Sequence, residues 1–405
     1  MSTVGQTRSE ADAVLKEFYI PGIKEQLNNE VFLCTQMEMN TTDIEGRRAV
    51  LAIHTGRNEG VGARAELGTL PTAGRQGYVE ERIPLMYLYG RMQLSGPVIR
   101  SMASDRGSFI RAVESETTGL VRDTKNDTNR QMYGDGTGQI ATVGTSAGTT
   151  VTVQNATTNL MRQFRKGMTV DFGSPANPTL RGTRTIVSVD RAAGTFEIDT
   201  ALSLTAGDSV FRTGSGGTGA TQKEITGLKA QVSDTGALFN IDPAVDPEWK
   251  SYTKTSAGAA SEDMFIEASQ EVNADSGHQL DLWVTTSAIQ RSVAALLQSI
   301  KRFPNTLELK GGYKGLDISD VSQGDTGSNE VVMVWDKDMV EDGVAYGLTR
   351  DAWAVYAMSD WEFMQEDGAV LNRVPNTDAY EGTLFRYMEL ATHQRNANAK
   401  ISGIT

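Results

Sequence analysis

Cysteine and histidine are nearly absent from this sequence. Its 405 residues include one cysteine, Cys34, and three histidines, His54, His278 and His393. A single cysteine cannot form an intrachain disulfide, and so few soft ligands do not give the Cys/His spacing of a zinc site. Three scattered histidines also leave little for general acid–base catalysis near neutral pH. The composition therefore excludes a disulfide framework and a zinc-binding module.

Long apolar runs are lacking as well. No stretch approaches the roughly 18 consecutive apolar residues of a membrane helix, and residues 1–10 are polar, without the apolar segment of a signal peptide. Hydrophobic residues still make up 39% of the chain, enough for a globular protein. We therefore expect a protein that folds in the cytosol and does not contact a membrane.

Basic residues are outnumbered by acidic ones. The chain has 38 Lys plus Arg against 51 Asp plus Glu, a formal net charge of −13, which excludes a basic nucleic-acid coat. Residues 47–106 hold nine Arg against five acidic residues (9 − 5 = +4), whereas residues 331–382 hold three basic against eleven acidic residues (3 − 11 = −8). Opposite charges on two parts of one chain can steer its copies together, and the planar fork of Arg suits such contacts. An ordinary patchy surface is the alternative.

Two short motifs of enzymes occur without the context that their chemistry needs. They are G-x-G-x-x-G at Gly214, Gly216 and Gly219, and G-x-S-x-G at Gly144, Ser146 and Gly148. The first motif binds a dinucleotide only when a helix follows it, and residues 220–227 do not predict one. The second requires a strand-to-helix turn, whereas residues 149–153 continue as a β-branched strand. We therefore predict a linker at the first motif and a loop serine at the second.

Pairs of acidic residues are the other candidates for chemistry. Asp336 with Asp338, or Glu366 with Asp367, could bind a cation or serve a glycosidase. Without a pocket, such pairs are more often a solvated face. An acidic cytosolic hydrolase that uses Asp or Glu residues of the C-terminal half stays open as an alternative from another class.

The front of the chain predicts an arm followed by a ribbon. Apolar residues recur at helical spacing within residues 11–18, which favours either an ordinary amphipathic helix or a docking arm. Strand-like runs at 49–55 and 78–94 then flank a glycine-rich loop. The only sizeable apolar residues of that loop are Val61, Leu67 and Leu70. Because an isolated two-stranded ribbon is marginal in water and long loops are usually functional or disordered, we expect the ribbon to lie on another copy of the chain.

A long helix is predicted next, from a cap at Ser104 or Asp105 to Gly134. Its roughly 28 residues would span about 42 Å. Charged residues, among them Lys125 and Asp127, occupy most of its circumference and leave only a thin apolar stripe. We therefore expect a helix that crosses a flat body and shows one face to solvent.

Glycine-rich linkers at 134–150 and 214–219 enclose a β-rich region. Strands are predicted at 151–153, 168–172, 184–189, 195–198 and 209–212. Residues 140–222 therefore look like an inserted small β barrel or sandwich. Beyond them, a mixed α/β region is predicted. Its helices are 262–272 and 287–299, and its strands are 280–285, 331–335, 344–348 and 380–401.

This order of elements resembles the major capsid proteins of tailed bacteriophages, the HK97-fold family. The closest matches are residues 56–138, which end in RQMYGDGTG, and the run AYEGTLFRY at 379–387, followed by Arg395-Asn396-Ala397. The resemblance covers nearly the whole chain except 140–222, and its specificity lies in order and spacing. It implies an α+β HK97-like capsid fold with an N-terminal arm, an extended E-loop, a long spine helix, and peripheral (P) and axial (A) domains.

The resemblance also implies boundaries and contacts. It assigns 1–45 to the arm, 46–97 to the E-loop, 98–139 to the P domain with its spine helix, 140–222 to the inserted β domain, 223–261 to the P domain again, 262–372 to the A domain and 373–405 to the last P-domain strand. In the family, E-loops lie across the neighbouring subunit. We therefore expect intersubunit contacts from Arg57, Arg64, Leu67, Leu70, Arg75 and Tyr78.

The function implied by the resemblance is structural and non-enzymatic, with no cofactor. Copies would form the hexamers and pentamers of an icosahedral shell, assembled in the host cytoplasm and found in the virion, with scaffolding and portal proteins as partners. The negative net charge predicts weak, salt-sensitive contacts with the packaged double-stranded DNA. A decoration protein could bind the inserted domain. An encapsulin-like protein compartment, which shares the fold, is the structural alternative.

Two features depart from known members of the family. Some members join a Lys of the E-loop to an Asn of a neighbour, but residues 25–124 here contain no Lys, so we do not expect that self-ligation. Others begin with a scaffolding segment that a protease removes, whereas the arm here starts within about ten residues of Met1. We therefore expect a separate scaffolding protein, or none.

Overall fold

The computed structural model describes residues 32–46, 48–97, 106–300, 306–308, 314–317, 331–365 and 370–405. The helical pattern within 11–18, the caps Ser104 and Asp105, and the pair Glu366 and Asp367 lie outside these residues. Helices of the described part are α1 Phe32–Gln36, α2 Arg106–Tyr133, α3 Thr158–Met161, α4 Leu228–Gln231, α5 Glu262–Ser276 and α6 Ser287–Ile300. Short 3-10 turns occur at Gly219–Thr221, Arg350–Ala352 and Arg395–Ala397.

Strands make up most of the remaining regular structure. In chain order they are β1 Glu38–Asn40, β2 Ile44–Glu45, β3 Arg48–Gly56, β4 Gly77–Pro84, β5 Met86–Ser95, β6 Gln139–Ala147, β7 Thr150–Val153, β8 Thr169–Ser174, β9 Asn177–Asp190, β10 Thr195–Ile198, β11 Ser209–Arg212, β12 Tyr252–Lys254, β13 Leu282–Thr285, β14 Thr306–Glu308, β15 Lys314–Asp317, β16 Val332–Trp335, β17 Val344–Leu348, β18 Trp353–Ala357, β19 Glu362–Phe363, β20 Asn372–Arg373, β21 Ala379–Thr392 and β22 Ala399–Ser402.

Two mixed sheets form the body. The first, called here the central sheet, has the order β1-β18-β21-β19, with β5 and β20 also paired to β21. The second has the order β12-β22-β17-β13-β16-β15-β14. The predicted strand at 380–401 is two strands, β21 and β22, which belong to different sheets. The turn Arg395–Ala397 separates them, and a strand alternation alone does not reveal that change of sheet.

The long helix α2 packs on the central sheet. It spans 28 residues and ends at Tyr133, as the sequence predicted. Its Val121 and Met132 share a core with Leu88 and Met92 of β5. Its C-terminal half is more buried than its charge pattern predicted, because Lys125, Thr128, Asn129 and Gln131 are all buried.

The second sheet is covered by α5 and α6, and its mainly aliphatic core contains one aromatic pair. Phe265 of α5 meets Trp283 of β13 edge to face, with ring centroids 5.0 Å apart. Such a pair is stabilising beyond the area that it buries. Helix α5 extends past its predicted end because the first residue that stops it is Gly277, at φ 75.

Residues 139–212 form a closed barrel of strand order β10-β7-β6-β11-β8-β9. The Phe164 and Phe196 rings are stacked 4.9 Å apart in its core. All five predicted strands are present, but the sixth, β6, lies where a linker was predicted. Ser146 is therefore a strand residue paired with Val151, and its prediction as a loop serine is wrong. The alternating burial of that strand could not be recognised in the sequence, because many of its residues are Gly, Ser and Thr.

The acidic pair Asp336 and Asp338 is part of a helix contact and not a solvated face. The Asn129 Nδ2 atom of α2 donates to Asp336 Oδ2 at 3.1 Å and to Asp338 Oδ2 at 2.7 Å. The Tyr133 hydroxyl also donates to Asp336 Oδ2, at 2.8 Å. Among the described residues there is no group of three or more side chains that could hold a metal ion.

None of the helices in the described part of the chain is long and apolar enough to span a bilayer.

Candidate intersubunit surface

The predicted ribbon is the antiparallel pair β3 and β4. Ala49 pairs with Ile83 and His54 with Tyr78, so both strands keep one register along most of their length. The run at 78–94, predicted as one strand, is divided into β4 and β5. Pro84 lies at the division, and because proline has no N–H it cannot donate to a continuing ladder. Beyond it, β5 joins the central sheet and pairs with β21.

The base of the ribbon packs on its own chain. One cluster at this base contains Ala49, Ile83, Leu85, Ala354, Tyr356 and Ala391. Farther along the ribbon, Ile53 and Val79 pack against the cluster of Leu238, Ile241 and Trp249. The expectation that the ribbon lies on another copy is therefore wrong for its base. Within the described residues, the part of the ribbon beyond these contacts has no apolar cover.

The tip of the ribbon, residues 57–76, has no apolar cover within the described chain. Val61 and Leu70 are each 82% exposed and Leu67 is 103% exposed. Tyr78, at the start of β4, is 66% exposed. Contiguous exposed apolar side chains in a soluble protein usually mark an interaction site. All six residues predicted to contact a neighbour lie at or next to this tip.

Local hydrogen bonds shape the tip. The Arg64 guanidinium donates from Nε to the Thr69 carbonyl at 3.1 Å and from Nη1 to the Ala63 carbonyl at 2.8 Å. Leu67 lies inside the turn that these bonds close, at φ 64. A bulky residue rarely adopts that left-handed conformation, so its presence at a fully exposed position points to function.

The arginines of the tip thus differ in role. Arg64 stabilises the conformation of the tip, because its guanidinium is hydrogen-bonded to carbonyls of its own turn. Arg57 and Arg75 are exposed, and neither forms an ion pair within the described part of the chain. Only these two remain free to meet a carboxylate elsewhere.

A second uncovered apolar surface lies on the central sheet. Tyr87 and Tyr89 of β5 stand beside Phe385 and Tyr387 of β21, and these four residues are called here the tyrosine face. The Tyr387 centroid is 5.0 Å from that of Tyr87, 6.2 Å from that of Tyr89 and 5.2 Å from that of Phe385. Tyr87 and Tyr89 are 55% and 56% exposed. This surface was not predicted from the sequence, although aromatic residues alternate at period two in both strands.

The acidic stretch 331–382 is partly neutralised inside the chain. The Tyr346 hydroxyl donates to Glu341 Oε2 at 2.5 Å, and the same oxygen lies 3.6 Å from Lys400 Nζ. Asp336 and Asp338 are held by Asn129. Fewer free carboxylates are therefore available to the ribbon arginines than the charge count predicted.

Comparison with known proteins gives structural matches only. No protein-family model and no curated protein matches the sequence. The capsid of cyanophage A-1(L) is 13% identical, with 94% of this chain and 93% of that chain covered and a TM-score of 0.53. The holo-SrpI encapsulin complex from Synechococcus elongatus is 11% identical, with 100% and 91% covered and a TM-score of 0.46. The capsid of Myoviridae phage XM1 is 8% identical, with 92% of each chain covered and a TM-score of 0.44.

The first of these similarities defines the fold. Over nearly its full length, the chain has the α+β HK97 fold of tailed-phage capsid proteins, which confirms the resemblance read from the order of elements.

Proposed function

We propose that this chain is the major capsid protein of a tailed bacteriophage. It is a non-enzymatic subunit whose copies form the hexamers and pentamers of an icosahedral shell around double-stranded DNA. The observation that carries the proposal is the exposed apolar tip of the ribbon on a chain with a capsid fold. Of the two acidic pairs considered for a hydrolase, Asp336 and Asp338 serve a structural contact, which favours a structural protein.

The tip supplies an anchor for contact between copies. Full burial of a Val or Leu side chain contributes about 1.5–3 kcal/mol, so burial of Val61, Leu67 and Leu70 by a neighbour would stabilise the contact between copies. Obligate interfaces commonly bury about 2,000–5,000 Å². The arm and the edges of the A domain therefore add further contacts around each copy.

The tip of one copy docks on the tyrosine face of the next. Both surfaces are uncovered within one described chain, and both expose large apolar side chains. Tyrosine rings accept aliphatic side chains on their faces and attract a guanidinium. Arg57 and Arg75 at the tip are placed to make such contacts, while Arg64 keeps Leu67 presented.

The parts of the fold take the roles that the family resemblance suggests. The E-loop is β3 and β4 with the tip between them, and α2 with the central sheet, which includes β1 and β5, forms the P domain. The arm is the part of 1–45 that precedes β1, most of which lies outside the described residues. The second sheet with α5 and α6 forms the A domain, and we include β12 and β22 in it because they pair within that sheet. The barrel is an insertion on the outer surface, available to a decoration protein. Scaffolding and portal proteins are further partners of the virion.

Substitution of the tip tests the proposal. Leu67→Asp with Leu70→Asp places charges where the described chain has only solvent, so the subunit should fold but fail to form shells. Val245→Asp is the matched control, because Val245 is also 76% exposed but lies outside the ribbon. Negative-stain micrographs and sedimentation of the expressed chain, with and without scaffold, measure the outcome. Normal shells from the double variant would refute the role of the tip.

The contents of wild-type particles separate the proposal from its structural alternative. Particles that package double-stranded DNA in the presence of portal and terminase support a phage capsid. Particles that enclose a protein cargo without those components would indicate an encapsulin-like compartment instead. A compact small oligomer without shells would contradict both.

A further inference from the structure

The base of the ribbon contains a buried carboxylate without a partner. Glu81 of β4 has 0% of its surface exposed, and neither of its side-chain oxygens has a hydrogen-bond partner. It lies opposite Leu51 of β3, on the face of the ribbon that packs against the trunk. Buried carboxylates are normally paired or hydrogen-bonded, because removal from water strongly disfavours the charged form. An orphaned one at a packed junction therefore needs an explanation.

The groups that face Glu81 do not offset a negative charge. Tyr356 of β18 belongs to the apolar cluster at the base of the ribbon, and its pKa is raised to about 12 by burial first and then by the charges of Glu81 and Asp43. Glu80 and Arg82 flank Glu81 in β4, but they are exposed and pair with each other at 2.8 Å. Burial raises the pKa of Glu81 itself from its ordinary 4.5 to about 8. The packed ribbon thus retains a proton on Glu81 at neutral pH.

A tight turn of the trunk contacts the ribbon next to Glu81. Leu238 and Ile241 exchange two backbone hydrogen bonds of 2.9 Å around Phe239 and Asn240. Phe239 and Asn240 have φ of 47 and 79, as in the type I′ turns that favour Asn and Gly. The Phe239 carbonyl accepts a hydrogen bond from the Arg82 N–H at 2.9 Å, directly beside Glu81. The Phe239 side chain packs against both apolar clusters under the ribbon.

The segment that carries this turn is anchored to the trunk. Arg395 is 1% exposed and donates to the carbonyls of Ala230, Gln231, Thr235 and Gly236 at 2.8–3.2 Å. The side-chain amide of Gln231 donates to the Leu390 carbonyl at 2.6 Å and accepts from the Thr392 N–H at 2.9 Å. It thus bonds the edge of β21 in the way that the backbone of a neighbouring strand would. Because the turn is fixed to β21, any movement at this junction is a movement of the ribbon.

We infer that Glu81 and the Phe239 turn form a proton-dependent latch, which holds the base of the ribbon on the trunk while Glu81 is protonated and releases it when Glu81 ionises. The inference rests on the proposed function, since it assigns a regulation to the ribbon whose tip docks on another copy. Release exposes Ile53 and Val79 and changes the angle at which Leu67 is presented.

The direction of the pH dependence follows from the raised carboxyl pKa. A docked ribbon binds the Glu81 proton more tightly than a released ribbon, in which the pKa returns toward 4.5. Docking is therefore strongest below about pH 4.5 and weakens as the pH rises, until it reaches a constant minimum above about pH 8. Between these limits, one linked proton changes the docking equilibrium by up to about tenfold per pH unit.

Hydrogen exchange on the unassembled full-length chain tests the latch. Amide protection in residues 48–56 and 77–84, corrected for the intrinsic exchange rate, should fall by up to about 100-fold from pH 5.5 to 7.5. Glu81→Gln should abolish this dependence, whereas Glu80→Gln, an exposed neighbour in the same strand, should retain it. Phe239→Gly should lower protection at every pH and keep the slope.

Two results would overturn the latch. They are a wild-type ribbon whose corrected protection does not change with pH, and a Glu81→Gln ribbon that keeps the wild-type slope. If Glu81→Gln does not fold, the wild-type and Glu80→Gln slopes still decide the question. The measurement needs no shells, so a chain that shows the slope but never assembles would contradict the proposed function and leave the latch standing.

Discussion

Arg130 and Glu224 form a two-point ion pair between the long helix and the segment that leaves the barrel. Nη1 donates to Oε2 at 3.0 Å and Nη2 to Oε1 at 2.6 Å, and both side chains are nearly inaccessible. Asp127 extends the network to Arg212 at the end of β11, at 2.7 Å. Burial by itself would raise the pKa of Asp127, but the charges of Arg130 and Arg212 outweigh it and lower that pKa. The barrel is therefore joined to the helix through charged side chains that are paired with opposite charges.

Loss of Arg130 should be costly. Arg130→Met leaves Glu224 buried without its partner, so we expect the free energy of unfolding to fall by about 3–5 kcal/mol. Arg165→Met is the control, because the Arg165 pair with Asp123 is exposed and longer, at 3.6 Å. It should change the free energy by less than about 1 kcal/mol. Urea unfolding of the two variants measures both values, and equal effects would show that the buried pair has no special role.

The arginines of the tip should separate into two groups. Arg57→Glu with Arg75→Glu reverses the free charges and should reduce assembly yield, most strongly at low salt, without changing the tip itself. Arg64→Ala removes two hydrogen bonds within the tip and should raise amide exchange in residues 63–69 before any assembly takes place. Assembly yield by electron microscopy and exchange of the free subunit check the two effects. Normal yield from the double charge reversal would contradict charge complementarity.

The barrel should be removable. The chain enters and leaves it side by side, since Gly217 N donates to the Thr137 carbonyl at 3.0 Å. The barrel also has its own hydrophobic core. Replacement of residues 138–216 by a short glycine linker removes Arg212 but leaves Arg130 paired with Asp127 and Glu224. The remaining fold and the shell radius should therefore be unchanged, as measured by electron microscopy. Shells of a different radius, or none from a folded subunit, would place the barrel in the assembly contacts.

DNA contact should be weak. With a net charge of −13, unassembled subunit should not retain double-stranded DNA in a mobility shift at about 150 mM salt. Any binding at lower salt should weaken as salt is added, because it would rest on phosphate contacts that release counterions. Tight retention at the higher salt would contradict a container that must release its contents.

Particular elements show which parts of the fold could be predicted from the sequence. The helix ending at Tyr133 was predicted from its cap and stripe, and five barrel strands were predicted from their β-branched runs. The strand β6 was missed because its small residues imitate a linker. The division at Pro84 was missed because strand alternation continues across it, although the two halves join different sheets. A local pattern reports the period of a strand and not its partner.

By itself, the sequence determined what is local in this protein: the exposed apolar loop, the long polar helix, the scarcity of His and Cys, and the order of elements that resembles a capsid subunit. Only the tertiary structure decided which groups meet across long separations in the chain. It placed Tyr87 beside Tyr387 and buried Glu81 at the base of the ribbon without a hydrogen-bond partner. Burial and pairing depend on residues hundreds of positions apart, and for a charged group they decide whether the charge is solvated, neutralised or protonated.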